Sequence, residues 1–183
     1  MQTIKQLFQI SIRKREPQDL HYNLQAAVAV VISVILLRYM AMQQISTLSN
    51  PLAYSLVSIG TQVAIIYGVL ASRNKANRFI QTITALFGVT LIATGAAVIM
   101  VLSVVLQLAL PILFIWTIYI MVLILRSSLE CSFIASLLLT IIYVAASHLV
   151  LTLVFPNFEA ELMKGLEAMQ ATLEAAQLKA QSK

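Results

Sequence analysis

Residues 79–125 read FIQTITALFGVTLIATGAAVIMVLSVVLQLALPILFIWTIYIMVLIL. Not one of them is an aspartate, glutamate, lysine, arginine or histidine. About 20 residues of α-helix cross a hydrocarbon core roughly 30 Å thick, so this run is too long for one crossing and too apolar for a soluble helix. It must fold back on itself. The break that fits is Gln107 to Pro111, because proline suits the first turn of a new helix, where its missing N–H costs little. The stretch is therefore a membrane hairpin with one span at about residues 79–106 and the next at about 109–125. The first of these is long and should tilt or protrude.

Working outward, residues 24–42 and 52–71 form two earlier apolar runs, separated by the polar segment Gln43 to Pro51. A fifth run, residues 131–155, follows a tight connection at Arg126 to Glu130 and ends at Pro156. Hydrophobic residues make up 60% of the chain and charged ones 10%, against roughly a quarter charged in soluble folds, so most of the surface must face lipid. The expected fold is all-α, a polytopic membrane bundle of five transmembrane helices. Residues 1–18 form a cytoplasmic amphipathic segment, 19–156 the five-span domain and 157–183 an amphipathic C-terminal helix.

Charge distribution sets the expected orientation. Lys5, Arg13, Lys14, Arg15, Arg73, Lys75, Arg78 and Arg126 fall on one side of a five-span chain, and Arg38 with the three tail lysines on the other. This bias predicts a cytoplasmic N-terminus and a C-terminus on the opposite side of the membrane. The net charge of +5 is thus a topology signal, and no nucleic-acid partner is expected. Ile4, Leu7, Phe8 and Ile12, with Arg13, Lys14 and Arg15 behind them, read as a helix lying on the membrane surface, without the continuous apolar core of a signal peptide. Pro17 interrupts it, and Asp19 can cap the helix that follows. Arg38 is placed near the end of the first span, its long side chain reaching the headgroups. Past Asn157, Phe158, Leu162, Leu166, Met169 and Leu173 recur every three or four residues. That stripe suits a second copy or a partner helix better than anionic lipid, since four glutamates there oppose three lysines; the alternative is a solvated tail folded back on the membrane.

The strongest local pattern is a row of small residues at spacing four, Gly60, Ala64, Gly68 and Ser72. Thr84, Gly88 and Gly95 lie within about 40 degrees of one another on a helical wheel, and Ser132, Ser136 and Thr140 share a face in the last span. Small residues so spaced let helix backbones approach closely, either packing the monomer or forming an oligomer interface.

Candidate chemistry is sparse. The sequence holds no His-Glu-x-x-His, no Gly-x-Ser-x-Gly, no phosphate-binding loop and no paired carboxylates within a span, so no catalytic, metal or cofactor-binding residue is assigned and no enzyme is expected. His148 has no carboxylate at helical spacing and reads as a structural hydrogen-bonder. Arg126 and Glu130 have the i, i+4 spacing of a surface pair. Cys131 reads as an inert thiol, or at most an acylation site.

Two segments carry a family resemblance: Arg15-Glu16-Pro17-Gln18-Asp19-Leu20 before the first span, and Arg78-Phe79-Ile80-Gln81-Thr82-Ile83-Thr84-Ala85-Leu86-Phe87-Gly88 opening the third. The chain resembles bacterial Yip1-like membrane proteins over roughly residues 5–155, without the tail after Pro156. That resemblance implies a five-helix bundle behind a cytoplasmic amphipathic region, a bacterial inner membrane as its location with the C-terminus periplasmic, and a non-enzymatic role through partners or lipids. The expected function is a scaffold or accessory subunit held in an assembly by helix contacts, with the lipid bilayer and other membrane subunits, or a second copy, as partners. The alternative is a small oligomeric transporter or channel using Ser58, Thr61, Gln62 and Tyr67.

Overall fold

A computed structural model describes residues 23–43, 49–101, 106, 108–165, 167–168 and 171. These form five long helices and no strand: α1 (Leu24–Gln43), α2 (Pro51–Ser72), α3 (Phe79–Val101), α4 (Leu110–Leu129) and α5 (Phe133–Val154). A 3-10 turn, Ala76–Arg78, leads into α3, and residues 158–165 are helical beyond α5. All five long helices are apolar enough to cross a membrane. The chain is an all-α, multi-pass membrane protein. The N-terminal residues Ile4, Leu7, Phe8, Ile12, Arg13, Lys14 and Arg15, and the tail residues Leu166, Met169 and Leu173, lie outside the described side chains.

Local chemistry fixes the helix ends. Asn23 Oδ1 accepts from Ala26 N at 3.0 Å, so Asn23 caps α1, a role the sequence gives to Asp19. Asn50 caps α2 through Ala53 N, with Pro51 in the first turn. The α2 terminus closes on Asn74 in the left-handed region (φ 55), with Lys75 N donating to Leu70 O at 2.8 Å. Asparagine tolerates that conformation and leaves the last carbonyls satisfied.

The α4–α5 connection differs from the expected one. Arg126 through Leu129 remain helical, and the chain leaves the helix only at Glu130, whose φ of 51 puts it in the left-handed region. Ser132 then caps α5 through Ala135 N. Because Glu130 has turned off the helix axis, it does not pair with Arg126. It pairs with Lys75 and Arg78 across the neighbouring turn instead.

Packing follows a ring. α3 packs most extensively on α1 and then on α4, α4 packs on α5, α5 on α2, and α2 back on α1, with a smaller α2–α3 contact across the middle. α3 is the central element, and every residue from Thr82 to Val89 is buried. Ile83, Leu86, Phe87 and Val89 meet Val30 and Val34 of α1, Ile66 and Leu70 of α2, and Ile120 and Ile124 of α4 in one apolar core. The outer faces are apolar too: Leu24, Val28, Ile32, Leu36 and Met40 line α1, and Ile134, Leu138, Ile141 and Leu149 line α5. An interior and an exterior that are both apolar are what the hydrocarbon phase requires.

Buried hydroxyls are satisfied locally. Ser55, Thr82, Thr84, Thr90, Ser136, Thr140 and Ser147 each donate to the carbonyl four residues earlier. No buried side-chain polar atom among the described residues lacks a partner.

Candidate functional site

The bundle has two polar ends and one polar seam inside it. At one end, the α2–α3 and α4–α5 turns are clasped. Glu130 takes Lys75 and Arg78 on its carboxylate, while Arg78 also donates to the carbonyl oxygens of Ser127 and Ser128 at 3.4 and 3.3 Å. Thr82 Oγ1 reaches Ser128 Oγ at 2.9 Å just beneath. The two cations hold the Glu130 carboxyl below the usual carboxylate range. The fold therefore favours the ionised form: the clasp contributes fully above the unfolded carboxylate's value of about 4.3, and its contribution is lost as pH falls through the lower folded value. Glu130→Gln is expected to remove this acid-side loosening, read as hydrogen exchange at residues 73–78 and 130–132 between pH 3 and pH 6. An acid limb identical in the variant would assign it to another group.

At the other end, the chain after α5 folds back on the start of α2. Glu161 Oε2 accepts from Tyr54 Oη at 2.8 Å and from Ser49 N at 3.0 Å, which lowers its own pKa. Phe155 and Phe158 meet the Tyr54 ring edge-on at 4.4 and 5.0 Å. Phe158 is buried there and Leu162 packs against the same cluster, so the start of the tail stripe is occupied by this chain's own α2 rather than left for a partner. His148, exposed on α5, shares a hydrogen bond with Glu159 at 3.0 Å. With residue 23 at the clasped end and the tail at this one, the two ends of the described chain lie at opposite poles, as five crossings require.

Between them lies the seam. Arg38 does not extend outward to the headgroups as the sequence suggests. It follows Ala27, Val30 and Val34 on the inward row of α1, and its Nη1 donates to Ser58 Oγ of α2 at 2.9 Å. Side chains on a helix lean toward its N-terminus, which carries the guanidinium back toward the bundle's middle. Ser58 lies about 10 Å along α2 from Pro51 at a rise of 1.5 Å per residue. Tyr143, buried on α5, stands within electrostatic reach of Arg38, and Gln62 continues the buried row of α2 one turn beyond Ser58. Arg38 of α1 thus meets Ser58 of α2 between two membrane-crossing helices, with Tyr143 of α5 within electrostatic reach and Gln62 one turn along α2. The signal for Arg38 was its position four residues beyond Val34, but α1 is apolar all round and gives no inward direction.

The small residues divide. Gly88, Thr84, Ser136 and Thr140 are buried and pack the monomer. Gly95 is half-buried and Ser132 is the exposed cap of α5. Gly60, Ala64, Gly68 and Ser72 are all exposed, so this row does not pack the monomer. The reason is the opposite row. Two residues of helix rotate the chain by about 200 degrees, and turning Ser58 and Gln62 away from lipid puts Gly60 and Gly68 into it. A Cβ built on Gly60, Gly68 or Gly95 would meet nothing within 4 Å. Tyr67 is also outward, stacked edge-on against Phe79 at 5.4 Å.

Searches against protein-family models, curated proteins and solved structures find no match to the chain.

Proposed function

We propose that this protein is a non-catalytic scaffold or accessory subunit of a membrane assembly, acting through helix–helix contacts with a second copy or a partner span. The supporting observation is the outward row Gly60, Ala64, Gly68 and Ser72. Lipid tails are as apolar as leucine, so association between spans depends on close packing, and a row without bulk on an exposed face permits it. The Yip1-like resemblance agrees with a role through partners. Extraction in mild detergent at native expression, followed by native mass spectrometry, is expected to recover a stoichiometric partner or a second copy. A strict monomer would overturn the reading.

The setting proposed is a bacterial inner membrane, with the clasped end cytoplasmic and the tail periplasmic. Arg73, Lys75, Arg78 and Arg126 all sit at the clasped end, the distribution expected of a cytoplasmic face. Reporter fusions at Lys75 and after Lys183 are expected to report opposite compartments, and the same compartment for both would remove the five-span orientation.

A transport function has one observation in its favour, the inward direction of Ser58 and Gln62 beside Arg38. Solute flux in liposomes that Gln62→Leu abolishes would favour it over the scaffold.

A further inference from the structure

We infer that Arg38 is the anchor of an oxyanion site inside the bundle, one that takes a phosphate group. The inference is independent of the scaffold reading. A guanidinium carries five N–H donors in a planar fork matched to phosphate and carboxylate, and among the described residues Arg38 spends one of its nitrogens on a neutral hydroxyl, Ser58 Oγ at 2.9 Å. A charge within a membrane-crossing segment persists when it is paired or serves a ligand. None of the five helices contains an aspartate or glutamate.

The chain's acidic residues are few enough to follow individually. Glu130 is engaged by Lys75 and Arg78 at the far end of the bundle. Glu161 is held by Tyr54 and Ser49, and Glu159 by His148. Glu167 is exposed, and Glu174 lies outside the described residues. Glu16 and Asp19 precede a helix along which Arg38 stands about 21 Å from the first residue. No described carboxylate neutralises the guanidinium. Its described side-chain partner is instead a neutral group able to donate to an anion, the Ser58 hydroxyl, with the buried Tyr143 phenol within electrostatic reach and the buried Gln62 amide one turn further along α2.

Phosphate can arrive as a lipid headgroup drawn into the α1–α2 seam or as a free anion entering from the tail end. The test uses the full chain in an uncharged detergent, with phosphatidylglycerol, phosphatidylcholine of the same acyl chains, and inorganic phosphate as probes in native mass spectrometry. The wild type is expected to retain phosphatidylglycerol about tenfold over phosphatidylcholine. Arg38→Met is expected to bring that ratio to parity, whereas Arg73→Gln, at an exposed position on the opposite end, leaves it unchanged. Arg38→Lys keeps the charge without the fork and is expected to lose several-fold of the preference, which covers the case of an unfolded Met variant. Displacement of the bound lipid by millimolar phosphate identifies a free-anion site; lipid retention without displacement identifies a headgroup site. No anionic preference in the wild type, a preference untouched in Arg38→Met, or equal loss in Arg73→Gln would each overturn the inference.

Discussion

Replacing Phe87 with alanine is expected to lower the stability of the bundle by about 3 kcal/mol, the lower part of the range for truncating a sealed aromatic. Phe87 is 1% exposed and sits in the middle of the continuously buried stretch of α3, between α1, α2 and α4. In a bilayer the hydrophobic gain between helices is nearly absent, because a helix leaving its neighbours moves into another apolar phase. What the ring contributes is dispersion with the atoms around it, and that is lost when a cavity replaces it. Unfolding of the purified protein in mixed micelles by increasing denaturing detergent measures the change. Ile99→Ala, on the same helix but 64% exposed, is the control and is expected to change stability by less than about 0.5 kcal/mol. A loss below about 1 kcal/mol for Phe87→Ala would mean that α3 is not the sealed centre of the ring.

The five crossings were legible because their signal is length and absence of charge, which tertiary structure cannot reverse. The ends were legible to within a few residues where a cap or proline marks them, as at Pro51 and Pro111. The end of α4 was misplaced because Arg126 reads as a boundary residue, yet an exposed arginine in the last turn of a helix reaches water and favours the dipole without ending the helix. The clasp was hidden by a separate assumption: an i, i+4 pair with Arg126 requires a helical Glu130, whereas the left-handed turn there gives its carboxylate to Lys75 and Arg78.

Inward direction was the larger gap. Soluble helices announce their buried face by polarity, but spans here present apolar residues to both lipid and core, so periodicity could not say whether Arg38 looks in or out. On α2 two rows competed: Gly60, Ala64, Gly68 and Ser72, which permit close packing, and Ser58, Gln62, Ile66 and Leu70, two of which need hydrogen-bonding surroundings. The first row is exposed and the second buried, where Ser58 receives the Arg38 guanidinium. The tail was ambiguous for a different reason: its periodicity is genuine, but its first two apolar positions, Phe158 and Leu162, find Tyr54 within the same chain.

The exposed row gives the most discriminating prediction, because its effects on fold and on association have opposite signs. In the double variant Gly60→Leu with Gly68→Leu, each added side chain starts in open space, since a Cβ at either position meets nothing within 4 Å. Removing glycine from a helix interior favours the helix by up to about 1 kcal/mol per position. The monomer's unfolding midpoint is therefore expected to stay or rise. Association depends on backbones approaching along this row, and two leucines standing between them hold the helices apart. A loss of about 3 kcal/mol, near a hundredfold in the dissociation constant, is expected. Fluorescence energy transfer between labelled protein and its partner or second copy in bilayers reads the association, and the detergent titration used for Phe87 reads the fold. Weakened association with an unchanged or higher midpoint makes the row an interface. Equal association in both proteins would place the contact elsewhere on the bundle, and a lowered midpoint would mean that the row packs against this chain after all.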